Sequence, residues 1–406
     1  MSVFSRLVKS KYTQKIQFLC LFIVFTGCTS QPASTPSLAT PSQPLPLSTS
    51  TNAPVASPTI INEPNLTQKC PQFFQNPDNL NGNNYGKILF DRDSTTDVRY
   101  NKLKNPYLYT LGTNEKESII NGTDFAVSND RSLFAYRLRN ENELIISDSK
   151  GKTLATGFTQ YEDIEGWVNG GLLLFNYSKA ESLLFNPFNS ERKNLRENFP
   201  NRYSLHYTWI EGVYEKVYYD PSLTKAFYFA KDSQTNSYYF SMWDVLANKE
   251  IVRLPQVGFA DSFPAEWSLD GKQIIVFAWS IANEKQTALL DIHTDGTIDT
   301  LLSNTEYPPM FTLSPDSKNL AFWSYDNIQK NWSLSVLDME SKDITDYCVK
   351  SKYFPEMHPL WSPDSQNLVV YLVSDDSENT KAILIDGKQN FSVQIAENAQ
   401  PVGWLK

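Results

Sequence analysis

The stretch AEWSLDGKQIIVFAW, which begins at Ala265, is the clearest indication of the fold, because similar stretches recur along the chain. MFTLSPDSKNLAFWS begins at Met310, PLWSPDSQNLVVYLV begins at Pro359, and a weaker copy, FAVSNDRSLFAYRL, begins at Phe125. Each copy places Ser-x-Asp after an apolar residue and a long apolar run a few residues later. Asp can bond its own backbone in a turn, and Pro presets the backbone angle there. The motif therefore predicts a β-turn between two strands.

The apolar runs after these turns recur at a regular spacing. Runs such as IIVFA and LVVYL lack clear alternation, which is typical of strands covered on both faces. Looser copies complete a series with steps of 40 to 52 residues. The serine-equivalent positions of that series are Ser128, Val168, Asp220, Ser268, Ser314 and Ser362. Each step holds one turn and about three further strand-like segments, the size of a four-stranded propeller blade.

The chain ends in a repeat that is cut short. The segment QPVGWLK, from Gln400, has the opening of a copy but no turn after it. The segment YGKILF, from Tyr85, reads as the second strand of a blade that lacks its first. We therefore predict that the two segments pair in one composite blade, which closes a ring of seven blades and leaves no free sheet edge.

The W-S-x-D-G/S-K pattern, followed by apolar residues, resembles the repeat of TolB-type, WD-like β-propellers over roughly residues 86–406. This resemblance implies an all-β, seven-bladed propeller, for which we set the boundaries 65–406. It implies little about activity, because the signature residues form turns and blade contacts and propellers host many unrelated functions.

Residues 1–27 predict a lipoprotein signal peptide, since basic residues precede a short apolar run, 16–26. That run is about half as long as a membrane-spanning helix requires. It ends at Gly27-Cys28, which resembles the lipobox and implies that Cys28 carries the lipid; an ordinary secretory signal is the alternative. Residues 28–64, rich in Pro, Ser and Thr, predict a disordered tether.

These features predict an extracytoplasmic, monomeric propeller held to a bacterial membrane through its N-terminal lipid. A net charge of −9 argues against a nucleic-acid partner. Once Cys20 has left with the signal and Cys28 is lipidated, Cys70 and Cys348 are the remaining thiols. We predict a disulfide between them, as an oxidising compartment permits; two free thiols are the alternative.

The sequence offers little catalytic chemistry. It contains no G-x-S-x-G nucleophile motif and no glycine-rich phosphate loop. Its three histidines, His206, His293 and His358, occupy unrelated repeat positions without metal-ligand spacing. The sequence therefore predicts no catalytic residue, no metal and no cofactor.

Acidic residues precede many of the repeats, where the chain enters an innermost strand at a mouth of the channel. Four of them are candidates for a carboxylate-rimmed funnel that binds a cationic ligand: Asp163, Asp261, Glu306 and Glu356. Solvated loops in an acidic chain are the alternative interpretation.

The sequence as a whole favours a non-catalytic binding or scaffold module for a protein or a small ligand. A cell-surface enzyme that acts on glycans or peptides through the channel is the alternative. An enzyme needs an acid, a base and a nucleophile that converge, and the motifs supply no such set.

Overall fold

The computed structural model describes a large part of the chain after residue 64. The described ranges are 65–80, 85–92, 106–119, 122–138, 143–158, 162–176, 181–195, 217–231, 238–255, 257–258, 265–280, 287–303, 310–355, 357–373 and 379–406. The predicted signal peptide (1–27), Cys28 and the tether (28–64) lie outside these ranges. Within the ranges, no helix has both the length and the apolar character needed to cross a membrane.

Most of the described chain is β-strand, and turns and loops make up nearly all of the rest, apart from one 3₁₀ helix at Pro77–Leu80. The first strands are β1 (Leu66–Gln68), β2 (Gln72–Phe74), β3 (Lys87–Arg92), β4 (Tyr107–Thr110) and β5 (Glu115–Ser118). The next twelve are β6 (Gly122–Val127), β7 (Leu133–Leu138), β8 (Glu143–Asp148), β9 (Thr153–Phe158), β10 (Glu162–Val168), β11 (Gly171–Asn176), β12 (Glu181–Phe185), β13 (Arg192–Asn194), β14 (Val217–Tyr219), β15 (Lys225–Lys231), β16 (Tyr238–Asp244) and β17 (Lys249–Pro255). The last are β18 (Val257–Gly258), β19 (Ala265–Trp267), β20 (Gln273–Ser280), β21 (Thr287–His293), β22 (Ile298–Ser303), β23 (Phe311–Leu313), β24 (Asn319–Asp326), β25 (Asn331–Asp338), β26 (Ile344–Ser351), β27 (Leu360–Trp361), β28 (Asn367–Val373), β29 (Thr380–Asp386), β30 (Phe391–Glu397) and β31 (Ala399–Leu405).

These strands form seven sheets, which are the blades of the propeller. Blades 1 to 6 are β6–β9, β10–β13, β14–β17, β18–β22, β23–β26 and β27–β30, and the closing blade has the order β31-β3-β4-β5. The first strands of several neighbouring blades contact one another, as β6 does with β10 and β31, and these innermost strands surround the central channel. The predicted all-β, seven-bladed propeller with a composite closing blade is confirmed.

The core lies between blades rather than at the centre of the ring. Between blades 4 and 5, Ile275 and Phe277 pack with Phe311, Leu320 and Phe322, all of them buried. A strand inside a blade therefore has an apolar neighbour on each face, which explains why the repeats lack the alternation of a half-exposed strand.

The Ser-x-Asp motif forms the turn between the first and second strands of a blade. In blade 5, the hydroxyl of Ser314 donates to Asp316 Oδ1 at 2.6 Å and accepts the backbone N–H of Asn319 at 2.9 Å. The residue after Asp has a positive φ of 59° at Ser317 and 66° at Gly271. Side chains with a Cβ tolerate this conformation poorly, which accounts for the Gly or small polar residue at this position.

The closing blade joins the two distant segments of the chain. Trp404 of β31 pairs with Ile88 of β3 in antiparallel register. The Trp404 indole donates to the Tyr85 carbonyl at 2.7 Å, and the N–H of Lys406 donates to the Arg131 carbonyl of blade 1 at 3.0 Å. The last strand is thus bonded both within its own blade and to the next one.

Two short N-terminal strands extend the outer edges of blades 5 and 6. β1 runs parallel to β26, and β2 runs parallel to β30. Cys70 lies between them and is bonded to Cys348 of β26, with the two Cα atoms 5.0 Å apart. Cys348 lies in blade 5, and blade 6 separates it from the closing blade.

Candidate ligand-binding face

The Ser-x-Asp turns lie together at one end of the ring, which we call the turn-motif face. It comprises the turns at 128–132, 268–272, 314–318 and 362–366 and the hairpins between third and fourth strands, such as 386–390. Because the strands of a blade are antiparallel, these connections all lie at the same end. The opposite end, where the chain enters the innermost strands, is the entry face.

A groove of about 410 Å³ opens on the turn-motif face between blade 6 and the closing blade. This volume is within the range of sites that hold small ligands. Polar side chains dominate its lining, namely those of Tyr85, Asp364, Gln366, Asp386, Lys388 and Gln389. Carboxylate, ammonium and amide groups are therefore available in one place, which suits a polar ligand.

Hydrogen bonds fix the walls of this groove. The Tyr85 hydroxyl donates to Asp386 Oδ2 at 2.9 Å, and Asp386 Oδ1 accepts the N–H groups of Lys388 and Gln389 at 2.9 and 2.6 Å. Asp386 is buried, whereas Lys388 and Gln389 are exposed. The turn is thus rigidly placed while its outer side chains face solvent, an arrangement that preorganises a binding surface.

Two charged residues from opposite sides of the ring approach each other near the channel. The Arg131 guanidinium donates to the Trp361 carbonyl, and the carboxyl groups of Glu266 and Asp364 stabilise its charge. Burial lowers the pKa of Arg131 to about 10, so the group remains protonated at neutral pH.

Glu266 is held by the neighbouring blade. It accepts hydrogen bonds from Thr312 Oγ1 at 3.0 Å and from the N–H of Leu313 at 3.1 Å. The residue keeps some accessible surface, but protein surrounds its carboxyl group, and this burial raises its pKa to about 7. A carboxyl group with this pKa can take up or release a proton near neutral pH.

Sequence reasoning missed both channel residues. Arg131 occupies the turn position where the clear copies have Gly or Ser, as at Gly271, Ser317 and Ser365. Its φ is 61°, so a long cation stands in a conformation that favours Gly. This departure from the repeat could have identified Arg131 from the sequence. The repeat pattern contains no comparable sign for Glu266.

Of the four predicted funnel residues, Asp163 alone lies in the described ranges; Asp261, Glu306 and Glu356 fall outside them. On the entry face, Arg137 lies 3.5 Å from Asp163 Oδ1 and also forms an ion pair with Asp124. Burial raises the pKa of Asp163, and Arg137 opposes this shift. The carboxylate funnel therefore stays a prediction, and Arg137 lies between its one described member, Asp163, and the neighbouring Asp124.

The histidines differ in their surroundings. His358 Nδ1 lies 2.6 Å from the Phe311 carbonyl, and burial lowers its pKa, which suits a neutral side chain with a structural role. His293 departs from the sequence interpretation, which found no ligand cluster around any histidine. Its Nε2 lies 3.3 Å from Asp291 and 3.7 Å from Asp299, because a hairpin brings Asp299 opposite Asp291.

No known family profile matches the chain, and no curated protein sequence is significantly similar to it. Solved structures do resemble it. TolB from Acinetobacter baumannii is 13% identical, with a TM-score of 0.41 over 81% of this chain and 66% of TolB. The β-propeller domain of Cps50 (Swd1) from Myceliophteria thermophila is 10% identical, with a TM-score of 0.42 over 71% of this chain and 93% of that domain. A protein from Lactobacillus plantarum is 14% identical, with a TM-score of 0.42 over 79% of this chain and 97% of its own.

These resemblances concern the fold alone. The matched part of TolB is just under two thirds of that protein's length. The propeller expected from the repeats is confirmed by the seven sheets described above.

Proposed function

We propose that this protein is a membrane-anchored, extracytoplasmic binding module that engages a protein partner through the groove on its turn-motif face. The observation that carries the proposal is the composition of the groove, where exposed Lys388 and Gln389 stand on a turn fixed by buried Asp386. Polar groups that are held in place can pair with a partner's main chain and charged side chains at little entropic cost.

The groove is better suited to binding than to catalysis. Asp386 is already bonded to Tyr85 and to its own turn, so it is not placed as a free general base. One observation favours the alternative of a surface enzyme: Glu266, with its pKa raised to about 7, lies near the cation of Arg131. Acid–base catalysis would use such a group, and a panel of glycan and peptide substrates tests it.

The proposed location rests on the N-terminal sequence and on the cysteine pair. Gly27-Cys28 follows the short apolar run, so lipid on Cys28 would hold the tether and the propeller at the membrane. The bonded geometry of Cys70 and Cys348 supports an oxidising compartment, where disulfides persist.

Replacement of Cys28 by Ala tests the anchor. We expect the variant to appear in the soluble fraction or as an uncleaved precursor, because the lipid acceptor is gone. Fractionation and intact mass of the purified protein measure this. Membrane attachment and mass that match the wild type, apart from the substitution, would refute lipidation at this residue.

The partner proposal is tested by co-purification from detergent-solubilised membranes. We expect a stoichiometric partner with the wild type, and we expect Lys388→Glu to lose it, because the substitution reverses a charge on the groove rim. Lys318→Glu is the matched control, since Lys318 is an exposed lysine on the turn-motif face outside the groove. Equal partner recovery from both variants would contradict the assigned surface.

A further inference from the structure

Three potential metal ligands meet on one hairpin at the outer side of blade 4. Asp291 and His293 lie on β21, two residues apart and therefore on the same face of the strand. Asp299 lies on β22, directly opposite Asp291. The hairpin therefore brings together two carboxylates and one imidazole from a D-x-H-x5-D sequence.

The distances between these groups suit a small cation. One ligand atom from each residue lies within 4.8 Å of the other two. His293 Nε2 is 3.3 Å from Asp291 Oδ2 and 3.7 Å from Asp299 Oδ2. Ligand atoms at 2.0–2.1 Å from a tetrahedral ion lie roughly 3.3–3.4 Å from one another, so small adjustments bring the three atoms into coordination.

The burial of Asp291 is a second, independent indication that a cation binds here. The residue is 2% exposed, and its Oδ1 atom is buried without a hydrogen-bond partner among the described residues. A buried carboxylate oxygen without a partner is costly. Lys342 of blade 5 acts on Asp291 through its charge without forming a hydrogen bond to the buried Oδ1. A bound cation would compensate the buried charge more directly.

We propose that Asp291, His293 and Asp299 form a binding site for a divalent transition-metal cation, with Zn²⁺ as the ion to test. A mixed imidazole and carboxylate set suits such ions better than Ca²⁺ or Mg²⁺, which prefer a larger set of oxygen ligands. His293 and Asp299 are partly exposed, so the ion has a path from solvent and water can complete its coordination.

Zinc binding to the full-length, chelator-treated protein in detergent tests the proposal by calorimetry and by metal analysis after dialysis. We expect one Zn²⁺ per chain and a rise in the melting temperature with Zn²⁺ but not with Mg²⁺. His293→Gln and Asp299→Asn should each weaken zinc binding by about tenfold or more, because each removes one ligand. We do not replace Asp291, because it is buried and its replacement could impair folding. Asp299 is exposed, so Asp299→Asn tests the site without this complication.

Glu340→Gln is the control, because it removes an exposed carboxylate from the adjacent blade without changing the three ligands. It should bind zinc like the wild type. The proposal is overturned if the wild type retains no zinc. It is equally overturned if His293→Gln and Asp299→Asn bind zinc as tightly as the Glu340→Gln control.

Discussion

Ser314 illustrates how one buried polar side chain shapes the turn in several of the repeats. Its hydroxyl is both donor and acceptor in the turn, and the residue is 2% exposed. The equivalent Ser268 donates to Asp270 at 2.7 Å, and Ser128 donates to Asp130 at 2.7 Å. The same bond therefore fixes the turn in several blades. Because it needs the same residues each time, the motif can be recognised in the sequence.

Replacement of Ser314 by Ala should lower the free energy of unfolding by about 1–3 kcal/mol, because the Asn319 N–H loses its side-chain acceptor in a buried turn. Denaturant unfolding measures the change. Ser303→Ala, at an exposed site on β22, should stay within about 0.5 kcal/mol of the wild type. Equal losses of unfolding free energy in the two variants would show that the hydrogen bond between Ser314 and Asn319 does not stabilise the protein.

The raised pKa of Glu266 predicts a pH dependence of stability. The folded carboxyl group keeps its proton up to about pH 7, whereas the unfolded group loses it near the ordinary value of 4.5. The folded state therefore binds more protons between these values, and stability falls as the pH rises from about 4.5 to 7. Glu266→Gln removes this contribution.

Unfolding free energies of the wild type and Glu266→Gln at pH 5, 6, 7 and 8 measure the effect. We expect the variant to gain stability relative to the wild type as the pH rises to 7, and the difference to level off above it. A difference that is constant with pH would contradict the assigned pKa. Asp291 and other groups titrate in both proteins, so the comparison isolates Glu266.

The sequence predicted the residues of the turns but not those of the channel. Turn residues repeat with the blades, so several copies reinforce one pattern. Arg131 and Glu266 are not repeated at the equivalent positions of the other clear copies. They come together only because blades 1 and 4 face each other across the ring. A contact between distant, non-repeating residues leaves no periodic signal in a single sequence.

At the scale of elements, β31 is the strand on which ring closure depends. It pairs with β3 through residues from Ala399 to Leu405 and packs beside β6 of blade 1. Gly403 lies at the tightest point, where an added Cβ would come within 2.2 Å of Val127 Cγ2. The close approach of the two strands therefore requires a residue without a side chain.

Gly403→Ala should destabilise the protein by about 1–3 kcal/mol through this overlap. Val127→Ala removes the overlapping methyl groups, so the double variant should be more stable than Gly403→Ala alone. Thermal unfolding of all four proteins gives the coupling energy. Additive losses would mean that the closing strand does not press against blade 1.

The sequence predicts some of the strands much better than others. The strands of the blades follow from apolar runs and turns, whereas β1 and β2 do not. All three residues of β1 are exposed, and it joins β26 by parallel backbone pairing. Backbone hydrogen bonds at a sheet edge require no particular side chains, so the sequence carries little sign of them.

At the scale of the whole molecule, the N-terminal segment is attached to the ring by the Cys70–Cys348 bond and by the two added strands. Lys69 lies within this segment; its N–H donates to the Asp346 carbonyl at 2.8 Å, and its ammonium donates to the Gly387 carbonyl. The bond joins positions 278 residues apart, so it restricts a very long loop in the unfolded chain.

Removal of the bond by Cys70→Ser with Cys348→Ser should lower stability by about 2–5 kcal/mol, because the unfolded chain gains freedom. Thermal unfolding with and without reductant measures the loss. The double variant should also be insensitive to reductant. Two reactive thiols in the denatured, unreduced wild-type protein would show that the bond does not form.

Photo-crosslinking in intact cells tests most directly whether the turn-motif face binds a protein partner, as we propose. A photoreactive amino acid is placed at Lys388, in the groove, or at Lys318, on the same face outside it. We expect one discrete adduct from position 388 and none from position 318. No adduct at 388, or the same adducts from both positions, would contradict the proposal.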